Sequence, residues 1–192
     1  MKLLILDRDG TINADSTDYI KSPDEWTPLP GALEAIAQLN QAGWHVVLAS
    51  NQSGLGRGLF DMTALNAMHA KMYQLLAQVG GRVDAVFYCP HTPDDHCHCR
   101  KPLPGLFEQI GERYGVDLAR VPAVGDSARD LIAAVAAGCE PHLVLTGNGE
   151  RLRGQPLPPE FPAHTRVHED LAAFAEHLLE TQPDFEHSAI VH

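Results

Sequence analysis

The sequence predicts an α/β fold, a central, mostly parallel sheet flanked by helices, and three observations point there. Short aliphatic runs such as Leu3-Leu4-Ile5-Leu6 and Val46-Val47-Leu48-Ala49 are each the length of one buried strand. Between them lie segments with apolar residues at helical spacing, the alternation expected of βαβ units. Several apolar runs stop abruptly at polar residues, and an open α/β sheet binds ligands just beyond the carboxyl ends of its strands. A chain of 192 residues has room for a real core and reads as one domain over 1–182, with a patternless 183–192 expected to be a flexible tail.

Lys2 to Leu6 forms the first expected strand and runs into Asp7-Arg8-Asp9-Gly10-Thr11. Extended spacing points Asp7 and Asp9 to opposite sides, so a pair serving one centre needs a bend, and Gly10 tolerates one. A carboxylate nucleophile and a carboxyl proton donor make chemical sense at this spacing, while a lone Asp-x-Asp-Gly also reads as an Asx-turn closing a strand. Asp15 to Leu29, polar and interrupted by Pro23 and Pro28, reads as a structured loop that leaves this turn and borders the site. Leu33, Ile36, Ala37 and Leu39 set a helix over 31–42, stopped by Gly43. Trp44 to Ala49 is the second strand, with Ser50-Asn51-Gln52-Ser53-Gly54 at its carboxyl end, and Arg57 sits in a glycine-flanked loop as a plausible anion contact or a solvated arginine.

Thr63 to Val79 reads as a helix with Leu65, Met68, Met72, Leu75 and Leu76 on its apolar stripe, and Val83 to Tyr88 as the third strand. Then come Cys89-x-His91 and Cys97-x-Cys99. Three thiolates and an imidazole make the ligand set of a closed tetrahedral zinc site, which would order a loop of almost no apolar content. Because four protein ligands leave no open position, the zinc is expected to be structural, with His91, His96 and His98 all available as the imidazole. Arg100-Lys101 follows, its charges suited to a phosphorylated substrate. Leu106, Phe107, Ile110 and Tyr114 mark a helix, and Val121 to Val124 a short fourth strand ending in Gly125-Asp126-Ser127-Ala128-Arg129-Asp130. If helical geometry starts near Ser127, Asp126 and Asp130 face one centre, where carboxylates beside a phosphate require a hard cation. Leu131 to Ala137 completes a helix, Cys139 is expected to be buried, His142 to Leu145 gives a fifth strand, Thr165 to His168 an edge strand, and Glu169 to Glu180 a final helix.

Composition removes several functions. Lys and Arg number 14 against 25 Asp and Glu, a formal net charge of -11 that argues against nucleic acid as a partner. No run approaches a membrane span and the first strand starts at once, so the expectation is a cytoplasmic enzyme with no membrane association, and the lack of a heptad favours a monomer. Clustered cysteines suggest a metal site before a disulfide framework.

Asp7-Arg8-Asp9-Gly10-Thr11 resembles the signature of the haloacid-dehalogenase-like phosphohydrolases, and Ser50-Asn51-Gln52-Ser53-Gly54-Leu55-Gly56-Arg57-Gly58 resembles the form found in the branch with the sugar-bisphosphate and histidinol-phosphate phosphatases. The resemblance implies a Rossmann-like fold with a zinc-binding loop at 89–99 and no large cap domain. It implies Asp7 as nucleophile, Asp9 as general acid and base, and Ser50, Asn51 and Lys101 on the transferring phosphoryl group. Arg57 and Arg100 would bind the rest of the substrate, Asp7, Asp9 and Asp126 would hold Mg²⁺ with Asp130 in its surroundings, and Cys89, His91, Cys97 and Cys99 would hold Zn²⁺. The implied reaction removes the 7-phosphate of a heptose 1,7-bisphosphate through an aspartyl phosphate. Histidinol phosphate is the alternative substrate, and a catalytically silent zinc-stabilised interaction protein the remote one.

Overall fold

The computed structural model describes residues 1–182, so the expected tail at 183–192 lies outside the described residues. Six parallel strands form one sheet: β1 (Lys2–Leu6), β2 (Trp44–Asn51), β3 (Ala85–Cys89), β4 (Pro122–Gly125), β5 (Glu140–Val144) and β6 (Arg166–His168). Their order is β3-β2-β1-β4-β5-β6, the Rossmann order, so the chain winds outward in one direction from β1 and in the other from β4. All six strands anticipated from the sequence form, although β3 begins at Ala85 and leaves Val83 outside.

Five α-helices lie between them among the described residues and a sixth follows β6: α1 (Ala32–Gln41), the single turn α2 (Ser53–Gly56), α3 (Met62–Gln78), α4 (Gly105–Tyr114), α5 (Ala128–Ala136) and α6 (Leu171–Thr181). Their boundaries follow local chemistry. Asp61 caps α3 by accepting from the Ala64 N–H at 2.9 Å, and Asp170 caps α6 by accepting from Ala173 at 2.8 Å. α2 was not anticipated, because four residues with two glycines carry no periodicity.

The sheet is covered on both faces at its centre, which is why β1 and β2 carry continuous aliphatic runs rather than alternating ones. Leu4, Leu6, Val46 and Leu48 pack with α1, α3 and α6, whereas Leu3, Ile5, Val47 and Ala49 pack with Leu106 and Ile110 of α4 and Ala133 and Ala134 of α5. Cys139 lies buried in the second layer, as expected. This two-sided clamp holds the carboxyl ends of β1, β2 and β4 in fixed relation. The longer segments at 7–31 and 90–104 lie at that end and carry only short 3-10 turns.

Candidate active site

The switch in winding between β1 and β4 leaves a crevice at the carboxyl ends of the strands, and the clustered polar chemistry of the chain lies there. Asp7 is pinned at the end of β1 by its N–H, which donates to the Val124 carbonyl at 2.9 Å. The turn then closes on the Arg8 carbonyl, which accepts from Thr11 at 3.1 Å and Ile12 at 2.8 Å, and Gly10 takes a positive φ of 85°. A Cβ on Gly10 would come within 2.0 Å of Asp126 Oδ2, so the bend requires glycine for space as well as for backbone freedom.

Asp7, Asp126 and Asp130 offer carboxylate oxygens that all lie within 4.8 Å of one another. Asp126 follows β4, and its Oδ2 accepts from the Asn148 backbone N–H at 2.8 Å. Ser127 is the N-cap of α5 in a capping box: Asp130 Oδ2 accepts from the Ser127 N–H at 3.1 Å and hydroxyl at 2.9 Å. Helical geometry does start at Ser127, and Asp126, just before the cap, and Asp130, in the first turn, face one centre as their spacing suggested. Lys101, 2% exposed, binds the cluster through Nζ, at 2.8 Å from Asp7 Oδ1 and 2.7 Å from Asp130 Oδ1, and donates to the Ala49 carbonyl at 2.8 Å.

One ammonium does not balance three buried carboxylates. Burial and the neighbouring Asp130 charge push Asp7 up to about 7 despite Lys101, and burial with the charges of Asp7 and Asp130 pushes Asp126 up to about 9. Burial also works against ionised Asp130, yet the Lys101 charge and hydrogen bond outweigh it and hold that carboxyl below its usual range. Surplus negative charge of this kind fits a hard divalent cation with oxygen ligands.

The Asp9 carboxylate does not join this cluster. Arg8 grips it with Nε at 2.9 Å and Nη2 at 3.1 Å, while Asn13 Nδ2 donates at 2.9 Å and Gln52 Nε2 at 3.1 Å. Burial opposes its charge, but the Arg8 guanidinium and these bonds prevail and hold the carboxyl below the ordinary range. Any direct bond from Asp9 to a cation in the three-carboxylate cluster would have to come from its main chain.

Asp7, Asp9, Ser50, Asn51, Arg100 and Lys101 all line one cleft of about 220 Å³. Asp15, Ser16, Tyr19 and Ile20 form another wall, so the loop after the first turn does border the site. Ser50 Oγ accepts from Gln52 Nε2 at 2.8 Å, leaving its hydroxyl proton to face the cleft or the Asn51 carbonyl at 3.5 Å. The Asn51 side chain is spent on Lys101, donating to its carbonyl at 3.1 Å and accepting from its N–H at 3.0 Å. Arg100 carries a buried Nη1 with no acceptor among the described residues. Arg57 is exposed and does not line the cleft; its guanidinium carbon lies 6.0 Å from the ring centre of Tyr19. Sequence reasoning gave no role to Arg8, Gln52, Tyr19 or Arg129, all of which line the cleft or bind Asp9. The doubled Asp of Asp7-Arg8-Asp9 was the available signal for Arg8, since a cation between two carboxylates has ready partners.

Beside the cleft, Cys89, His91, Cys97 and Cys99 bring their donor atoms within 4.8 Å of one another. His91 Nδ1 lies 3.5 Å from Cys89 Sγ and 3.4 Å from Cys99 Sγ, while His98 turns outward to Glu108 at 3.0 Å and His96 stays outside the group. The loop feeds directly into Arg100 and Lys101.

The sequence pattern of the haloacid dehalogenase-like hydrolases matches residues 7–138, from the first aspartate of the cleft through α5. The chain belongs to this family. Within the family, it is 64% identical over 180 residues to the D-glycero-beta-D-manno-heptose-1,7-bisphosphate 7-phosphatase of Bordetella bronchiseptica, covering 94% of this chain and 99% of that one. The enzyme of the same name from Pseudomonas aeruginosa is 57% identical over 178 residues, covering 93% and 98%. A crystal structure of the B. bronchiseptica D,D-heptose 1,7-bisphosphate phosphatase, complexed with magnesium and phosphate, superposes with a TM-score of 0.90 at 63% identity over 95% of this chain and 100% of that one. No helix among the described residues of this haloacid dehalogenase-like hydrolase is long and apolar enough to cross a membrane.

Proposed function

We propose that this chain is a Mg²⁺-dependent phosphatase that removes the 7-phosphate from D-glycero-D-manno-heptose 1,7-bisphosphate. The observation that carries the reading is the union of Asp7, Asp126, Asp130 and Lys101 at the switch point, a nucleophile inside a carboxylate cluster with too little positive charge of its own. Close relatives bearing that activity over nearly their full length, one of them crystallised with magnesium and phosphate, support it.

Asp7 Oδ attacks phosphorus and the bond to the sugar oxygen breaks; Asp9, an ionised carboxylate in the cleft, takes up a proton as the negatively charged phosphate enters beside it and gives that proton to the leaving oxygen, leaving phosphate on Asp7. Asp9 then takes a proton from water as the water oxygen attacks phosphorus and frees Asp7. Lys101 and the Ser50 hydroxyl face the transferring oxygens, and Asn51 sets Lys101 by holding both its backbone groups. Bound Mg²⁺, held by Asp7, Asp126 and a main-chain oxygen of Asp9 with Asp130 close by, would supply charge neutralisation between nucleophile and phosphoryl oxygens. Arg100, with an unfilled donor beside the cleft, binds the remainder of the substrate, and Arg57 acts from the rim through Tyr19.

The cysteine cluster fits a structural zinc, because three sulfurs and one imidazole nitrogen already converge and leave no open ligand position. The chain works as one domain with no large cap, and its four free cysteines suit the reducing cytoplasm. A panel of heptose 1,7-bisphosphate, histidinol phosphate and p-nitrophenyl phosphate tests the reading. The bisphosphate is expected to give the highest kcat/KM, and equal or greater efficiency on histidinol phosphate would overturn the substrate assignment.

A further inference from the structure

Arg8 is fully buried, and its third nitrogen does not serve Asp9. Nη1 meets Nε2 of His69 at 3.1 Å, and His69 stands on α3, 61 residues away in sequence and 8% exposed. Two cations in contact would repel, so the imidazole is neutral and its Nε2 lone pair accepts the guanidinium N–H. Burial, and then the Arg8 charge, push His69 down to about 4, in keeping with that polarity. The guanidinium is planar, so fixing one nitrogen fixes the plane of the fork that grips both oxygens of Asp9.

We propose that Arg8 and His69 are positioning residues for the proton donor: α3, through His69, orients Arg8, and Arg8 orients the Asp9 carboxylate toward the leaving oxygen. This rests on the assignment of Asp9 as general acid. Neither side chain bonds the clustered carboxylates of Asp7, Asp126 and Asp130, and Arg8 holds Asp9 by its carboxylate rather than by the main-chain oxygen offered to the cation, so loss of the pair acts on protonation of the leaving group and spares steps that need no proton. An alkoxide leaves poorly without a proton, whereas p-nitrophenolate leaves without help.

The test is a series of phosphate monoesters, from p-nitrophenyl through less acidic phenols to sugar phosphates, with log kcat/KM plotted against leaving-group pKa. Asp9→Asn is the reference and should give a steep slope; a slope unchanged from wild type would remove the general-acid assignment itself. Given that steep reference, His69→Leu is expected to lose roughly 10- to 100-fold on sugar phosphates while staying within about threefold on p-nitrophenyl phosphate. His69→Gln, whose amide oxygen can accept from Nη1, should recover most of the loss. Arg8→Lys, which keeps charge without the fork, should be steep as well and serves if His69→Leu does not fold. Uniform loss across the series, or a glutamine variant no better than leucine, would overturn the proposal.

Discussion

Two basic residues adjacent in sequence have different work. Lys101 Nζ lies against the nucleophile, whereas Arg100 lines the cleft with a donor that no described residue fills. Lys101→Ala should lower kcat/KM roughly 10²- to 10³-fold on aryl phosphate and bisphosphate alike, because its charge acts on the transferred group. Arg100→Ala should cost about 1.5 to 3 kcal/mol on the bisphosphate and far less on p-nitrophenyl phosphate, since the lost bond lies outside the reacting group. Steady-state kinetics on both substrates checks the contrast, and an equal loss for Arg100→Ala would remove it from substrate recognition. At this scale the sequence displayed Asp7, Asp9, Ser50 and Asp126 at or just past the ends of apolar runs, and Lys101 directly after the cysteine loop. It could not display what Asn51 binds or where Arg57 stands, because those depend on how loops from different strands meet.

Two elements carry clustered ligands or titrating groups away from the chemistry. The loop at 89–99 has almost no core of its own, so Cys99→Ala should lose zinc by elemental analysis and lower Tm. Equal zinc content in variant and wild type would refute the assignment. At the other edge of the sheet, His142 of β5 and His168 of β6 share a hydrogen bond of 2.9 Å beneath α6, with Phe174 edge-on to both rings. Burial pushes both down to about 4 from 6.5, helped at His142 by the charges of His177 and Arg166 and at His168 by those of His142, His177 and Arg166. The unfolded chain then binds more protons than the folded one between these values. Their contribution is complete above pH 6.5 and is lost as pH falls toward 4. The two rings share one hydrogen bond, so the combined loss is on the order of 2 to 3 kcal/mol, or roughly 5 to 10 °C in Tm. Melting curves over that pH range should show the fall, and a His142→Leu/His168→Leu variant should flatten it whatever its starting Tm; an unaltered slope would exclude the pair. The sequence marked these strands by their aliphatic residues, but the stacked His142 and His168 rings, with His177 tilted against both, needed β5, β6 and α6 together.

Among the described residues, the six strands and five of the six α-helices were legible because each is a run or a repeat, and the two covered faces make the central strands β1 and β2 largely aliphatic. Strand order was not written in any single stretch; it emerges from the way β4 returns beside β1 and opens the crevice between them. That crevice is where the account stands or falls. The direct measurement is ³¹P NMR of D-glycero-D-manno-heptose 1,7-bisphosphate incubated with the enzyme and Mg²⁺, alongside Asp7→Asn and a chelator control. The C7 phosphate signal should disappear as inorganic phosphate grows, the anomeric phosphate should persist, and neither Asp7→Asn nor the chelated enzyme should turn over. Loss of the anomeric phosphate first, or undiminished turnover by Asp7→Asn, would contradict the account.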